Sequence, residues 1–173
     1  MIITLTGFMG VGKSTIAERC SKLLLSTYYD LDKEIENSEG MIISEIFNLK
    51  GENYFRDLEE KTLYNLFQIE DKNILIISLG GGALLSHKNL ELVKSKSTCI
   101  YLRAEIETIK KRLERGKKSR PLLQEINIEN ESNNLIHEFF TVREGGYLNA
   151  ASIIIDVDDK NIDEIVNEVI SSI

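Results

Sequence analysis

The residues of this chain best placed to do chemistry begin with a run of glycines around a lysine. Gly7-Phe-Met-Gly10-Val11-Gly12-Lys13-Ser14-Thr15 sets a glycine, four residues, then Gly-Lys-Ser, the pattern of a phosphate-binding loop. Successive backbone N–H groups can turn inward around a phosphate there, because no Cβ blocks the approach. Lys13 puts a mobile ammonium on β- and γ-phosphate oxygens, and Ser14 offers a small hydroxyl to Mg²⁺. A helix opening at this point adds the positive end of its dipole.

Two further groups carry charge in patterned places. Asp30 and Asp32 stand two apart at the end of a short extended run. On an extended segment they share one face, so one carboxylate can approach the loop's Mg²⁺ while the other faces an incoming hydroxyl. A helix N-cap explains the spacing equally well, since Asp32 precedes Lys33-Glu-Ile-Glu. Arg56 and Glu59 lie three apart on a helical pattern. They read either as a surface ion pair of little value or as a guanidinium fork, braced by Glu59, for a planar carboxylate. Arg143 is a second candidate fork. Gly80-Gly81-Gly82 follows an apolar run and reads as a flexible turn or as a place where backbone approaches a ligand.

Elements of the right kind surround these residues. Met1 to Thr6 is short and apolar, and it reads as a buried parallel strand. Ile16, Ala17, Cys20, Leu23 and Leu24 then recur at helical spacing. Further strands are expected over Tyr28 to Leu31, Ile74 to Leu79, Cys99 to Leu102 and Ser152 to Asp156. Helical patterns fill the intervals, with a break at Gly51 and with an end at Arg143 to Tyr147. Strands alternating with helices predict an α/β fold with a parallel sheet. Lys110 to Leu123, with Arg112, Arg115 and Arg120 beside Pro121, is the one strongly basic stretch. It reads as a solvated face or as a lid able to close over phosphates.

The 173 residues suit one domain, and an apolar content of 42% is ordinary for a globular chain. A net charge of −7 argues against nucleic acid or an anionic membrane as the main partner, so an anionic ligand must be held by local cations. No apolar run is long enough for a bilayer and no signal-type segment opens the chain, which predicts the cytoplasm. Cys20 and Cys99 sit in separate apolar segments and read as buried thiols. His87 and His137 read as surface or packing residues.

In order along the chain stand Asp30-Leu-Asp32; Gly40-x-x-Ile43-x-x-Ile46-Phe47-x-x-x-Gly51-Glu52-x-x-Phe55-Arg56-x-x-Glu59; Ser78-Leu-Gly80-Gly-Gly82; Arg120-Pro-Leu-Leu123; and Arg143 before Tyr147. With the loop at Gly7 to Thr15, this set resembles the shikimate kinase family over nearly the whole chain. The resemblance implies the fold of nucleoside monophosphate kinases, a five-stranded parallel sheet in order 2-3-1-4-5 with helices on both faces. It implies a single domain over 1–173, with a substrate-binding helical segment at about 33–61 and a lid at about 112–124. It implies Mg²⁺- and ATP-dependent phosphorylation of the shikimate 3-hydroxyl, in chorismate and aromatic amino acid biosynthesis. No oligomer seam is readable in the sequence, so a monomer is expected.

Roles follow residue by residue from the same resemblance. Gly10, Val11, Gly12, Lys13, Ser14, Thr15, Arg112 and Arg120 would bind ATP, with Arg112 against adenine and Arg120 carried in by the lid. Ser14 would ligate Mg²⁺ and Asp30 would reach it through water. Asp32 would hold ring hydroxyls and act as base, with Lys13 and Arg120 as the other catalytic groups. Arg56 and Arg143 would clamp the carboxylate, Gly80, Gly81 and Gly82 would give backbone contacts, and Phe47 and Phe55 would wall the ring. The chain departs from the family's Arg-x-Pro-Leu-Tyr by carrying Gly145-Gly146, which predicts a less rigid Arg143. It also has one extra residue between Arg112 and Arg120, and no adenine-contact pattern is readable after Asp156. A kinase of another small polyol acid such as gluconate, or a non-catalytic nucleotide-binding module, are the competing readings. The Phe-Arg and triple-glycine motifs oppose the former. The absence of an Asn-Lys-x-Asp signature opposes a guanine-nucleotide switch.

Overall fold

Five short runs form strands, four of them rich in aliphatic side chains and the edge run Thr27–Asp30 in tyrosine, because β-branched, aliphatic and aromatic side chains suit a sheet. In the computed structural model, which describes residues 1–70, 73–115 and 132–173, these are β1 (Ile2–Thr6), β2 (Thr27–Asp30), β3 (Leu75–Ser78), β4 (Thr98–Arg103) and β5 (Ile153–Asp156). All pairings are parallel and the order is β2-β3-β1-β4-β5, as the resemblance implied. Interior strand β3 is buried throughout, whereas edge strand β5 leaves Ile154 exposed.

The helices are α1 (Lys13–Leu24), α2 (Leu31–Glu39), α3 (Ile43–Phe67), α4 (His87–Lys96), α5 (Ile106–Arg115), α6 (Ser132–Ala150) and α7 (Ile162–Ser171). They cover the sheet in groups, α1 packing with α7 and α4 with α6. Ile16, Ala17 and Cys20 turn inward from α1, and Ile165, Val166 and Val169 from α7, while Leu23 faces solvent. Gly51 breaks α3 at φ 82, ψ 166, where the sequence places the break. Cys20 and Cys99 are buried free thiols, and both histidines are exposed. No helix among the described residues is long and apolar enough to cross a membrane.

Two local expectations change. Helix α6 does not end at Arg143 to Tyr147 but runs through both glycines to Ala150, because Tyr147 and Ala150 are buried at 1% and 3% exposure and anchor its last turns. A Cβ at Gly146 would lie 3.1 Å from the carbonyl oxygen of Leu84, so this glycine lets α6 pack closely on the turn after β3. Strand β2 ends one residue earlier than Leu31, which already belongs to α2.

The chain leaves β1 at Gly7 with φ 140, and a Cβ there would stand 2.6 Å from the backbone oxygen of Leu102. Neither backbone can yield without disturbing the centre of the sheet. Gly7→Ala should destabilise the fold by about 1–3 kcal/mol, read as a lowered urea midpoint; an unchanged midpoint would contradict the close approach.

Candidate active site

The phosphate loop is built as its residue types require. Gly12 caps α1 in the left-handed region at φ 102, which leaves the first helical N–H groups open to a ligand. Lys13 is 8% exposed, and its Nζ donates to the carbonyl oxygens of Gly7 at 2.8 Å and Phe8 at 3.1 Å. The ammonium therefore spans the loop that it is suited to fill with phosphate. Ser14 Oγ lies 3.4 Å from Ser78 Oγ, at the end of β3.

A cavity of about 740 Å³ adjoins this loop, lined by Gly10, Val11, Gly12 and Thr15 from the loop, Arg112 from α5, and Lys160 and Asn161 before α7. Arg112 donates to the carbonyl oxygens of Val11 and Val157, both at 3.1 Å. It thereby joins α5, the loop and the segment after β5 around a space able to take a nucleoside. The contribution of residues 157–161 escaped sequence reasoning because it consists largely of backbone and turn geometry. The nearest sequence signal was Asn161, which caps α7 by accepting from Glu164 N at 3.0 Å. Arg120 and most of the expected lid at 112–124 lie outside the described residues.

The two aspartates are not side by side on an extended segment. Asp30 ends β2 and caps α2, its Oδ1 accepting from Lys33 N at 3.3 Å and its Oδ2 from Tyr28 Oη at 3.2 Å. Asp32 falls in the first turn of α2. The chain turns helical here because Asp30 supplies the cap and Leu31 is fully buried. This turn carries Asp32 toward Gly80, where a Cβ would be 2.7 Å from Asp32 Oδ1 and 3.1 Å from Glu59 Oε1. Burial, helped by the charge of Asp30, pushes the Asp32 carboxyl up to about 6, against the pull of Lys13 and Arg56.

The arginines arrive at the next two glycines. Arg56 donates from Nη1 to Glu59 at 2.8 Å and from Nη2 and Nε to Glu52 at 3.2 and 3.3 Å. Its Nη1 and Nη2 stand 2.9 and 3.0 Å from where a Cβ of Gly82 would be. Glu59 is 1% exposed; burial pushes its carboxyl up even against the attraction of Arg56. Burial opposes the charge of Arg56 too, but there the Glu59 and Glu52 contacts prevail and hold the guanidinium firmly ionised. Phe55 lies beneath Arg56, 5.2 Å from ring centre to guanidinium, and packs on Phe47 at 4.7 Å.

Arg143 Nη1 lies 3.7 Å from the Cβ direction of Gly81, with the rings of Phe8 and Phe139 at 5.7 and 5.1 Å. Its Nε is buried without a hydrogen-bond partner among the described residues. Burial first, then the nearby Arg56, lower its pKa, so an anion here relieves both penalties. The same Cβ direction of Gly81 comes within 3.5 Å of Met9 N. The glycine turn thus touches the phosphate loop on one side and the arginines on the other.

Oxygen groups near Ser14 suit a hard cation. The hydroxyls of Ser14 and Ser78 and the carboxylate of Asp30, register partner of Ser78, match Mg²⁺, which keeps several waters and takes few protein ligands. No cluster of three or more His, Cys, Asp or Glu that could hold a metal occurs among the described residues, so this is no all-protein cage.

A family model described as shikimate kinase matches residues 9–173. The shikimate kinase of Dictyoglomus turgidum is 37% identical over 170 residues, covering 97% of this chain and 94% of that protein. The crystal structure of a Bacteroides thetaiotaomicron shikimate kinase superposes with a TM-score of 0.89 at 29% identity, covering 99% and 97% of the two chains. A shikimate kinase of Acinetobacter baumannii in complex with shikimate gives 0.87 at 29% identity, covering 99% and 91%.

The raised pKa of Asp32 has two measurable consequences. Were Asp32 the general base, a carboxyl ionising near 6 would make kcat/KM fall roughly tenfold per pH unit below about pH 6. In the free protein the native state binds this proton more tightly than the unfolded chain, where a carboxyl of this kind ionises at its ordinary 3.8. Stability is therefore lost as pH rises from about 4 to about 6, and the penalty is fully present above. Asp32→Asn should abolish turnover, stabilise the ligand-free protein by about 1–3 kcal/mol at pH 7.5, and lose that advantage below pH 4. A Tm that does not rise at pH 7.5 would contradict the buried charge.

Proposed function

The chain belongs to the shikimate kinase family, and on that footing we propose that it transfers the γ-phosphoryl group of ATP to the 3-hydroxyl of shikimate. The products are shikimate 3-phosphate and ADP, in the biosynthesis of aromatic compounds. The observation that carries this reading is the convergence of Asp32, Arg56 and Arg143 on Gly80, Gly81 and Gly82, a turn that also lies against the phosphate loop.

Arg56 and Arg143 grip the shikimate carboxylate. Arg56 is oriented by Glu59 and Glu52, and Arg143 supplies the less compensated charge. Asp32 hydrogen-bonds the ring hydroxyls and takes the proton as the 3-oxygen attacks the γ-phosphorus. The bond from that phosphorus to the bridging oxygen breaks, and ADP leaves. Lys13 and the N–H groups of Gly10, Gly12, Ser14 and Thr15 balance charge on the phosphates, and Arg120 adds a further cation. Ser14, with Asp30 acting through water, would hold Mg²⁺, which would supply neutralisation of phosphate charge. Arg112 and Val11 border the adenosine. The protein acts as a monomer, one domain holding both sites, with 33–61 as the substrate segment and 112–124 as the lid.

A coupled assay of ADP release tests the reading directly. Release should depend on shikimate and not respond to gluconate; shikimate-independent release, or none, would remove it. Arg56→Lys should raise the KM for shikimate by about ten- to hundredfold, since an ammonium cannot form the fork, while ATP affinity stays within about twofold. Equal losses for both ligands would point to a general structural role instead.

A further inference from the structure

The glycine turn has a choice of shape that its own residues do not settle. Ala83 N donates to Gly80 O at 3.1 Å, so Gly81 and Gly82 are the central pair of a hydrogen-bonded turn. Gly82 sits at φ −109, ψ −1, near the third position of a type I turn. Rotating the Gly81–Gly82 peptide plane would give a type II turn, which demands positive φ at that position. Any other residue resists this, but glycine does not. The peptide is planar and trans, so such a flip turns the Gly81 carbonyl and the Gly82 N–H over together.

One side chain bears on that choice. Tyr147, from α6, donates its phenolic hydrogen to Gly81 O. It is 1% exposed and its ring rests on Tyr101 with centres 5.3 Å apart, so the hydroxyl is held in place. Arg143 lies one helical turn earlier and meets Gly81 from the same helix, Nη1 being 3.7 Å from its Cβ direction. We propose that Tyr147 is a positioning residue for the acid-binding site: its bond to Gly81 O locks the Gly81–Gly82 peptide, fixing where the Gly82 N–H points beside Arg56 and keeping the turn in register with Arg143. The alternative is ring packing alone, with the phenol satisfied by a convenient carbonyl.

The proposal rests on the functional reading above, and its test separates the two. Tyr147→Phe keeps the ring and removes the donor. Calorimetric titration with shikimate should show binding weakened about five- to tenfold, with ADP binding within about twofold of wild type and the KM for shikimate rising more than kcat falls. Tyr101→Phe is the control, because its hydroxyl lies in the same stack and has no partner on the glycine turn among the described residues; it should leave shikimate affinity unchanged. Unchanged affinity in Tyr147→Phe, equal losses for both ligands, or the same loss in Tyr101→Phe would overturn the positioning role. A wild-type protein that does not bind shikimate would instead remove the functional reading and this inference with it. Should Tyr147→Phe not fold, a crystal structure of wild type with shikimate decides. The Tyr147 bond retained with Gly82 at negative φ supports the lock, and a broken bond or a positive φ overturns it.

Discussion

The cleft depends on the absence of side chains at three successive positions beyond β3. A Cβ at Gly80 would lie 2.7 Å from Asp32, and one at Gly82 would lie 2.9 Å from Arg56. Both distances are below any real carbon contact. Groups from α2 and α3 can close on the end of β3 only because that end is bare backbone. In an open parallel sheet, ligands gather outside the carboxyl ends of the strands. Here the glycine turn and the phosphate loop occupy neighbouring ends, since β1 and β3 are hydrogen-bonded partners. An acid grip and a phosphate cradle then share one floor by topology, not by adjacency in sequence.

Charge within that cleft is unevenly balanced. Arg56 meets Glu59 and Glu52, which orient it and cancel much of its attraction for a further anion. Arg143 lies near two phenylalanine rings, with a buried Nε that has no hydrogen-bond partner among the described residues. Under the proposed function, an incoming carboxylate gains orientation from one arginine and most of its net electrostatic attraction from the other. This resolves how a chain of net charge −7 can hold an anionic substrate. The global field is screened within about 10 Å, while these contacts act at hydrogen-bond range in a half-buried pocket.

Much of this was legible in the sequence because it lies in residue types with few alternatives. The loop glycines, Lys13, the Arg56–Glu59 pair and the triple glycine each need a particular residue for a particular physical reason, and strand order followed from the family they resemble. What failed was local geometry decided by packing. The spacing of Asp30 and Asp32 fits a shared extended face or a helix N-cap equally well, and burial of Leu31 with the cap by Asp30 decides for a helix. Gly145-Gly146 was read as a helix end, yet buried Tyr147 and Ala150 carry α6 past it. Contacts through backbone carbonyls, such as Arg112 to Val11 and Val157, leave no mark in residue type at the acceptor.

Gly146 shows how a departure from the family pattern can be compensated. Flexibility at this position is an entropic loss of roughly 1 kcal/mol relative to alanine in a helix, and taken alone it would loosen Arg143. The structure sets two constraints against that loss. Leu84 O stands 3.1 Å from the Cβ direction of Gly146, so the small residue permits close packing of α6 on the turn. One residue later, Tyr147 bonds the glycine turn itself. Both contacts tie the helix that carries Arg143 to the turn after β3 and act against the loosening expected from Gly145-Gly146. The relevant property of the site is not how stiff α6 is in isolation but how firmly it is attached to Gly81.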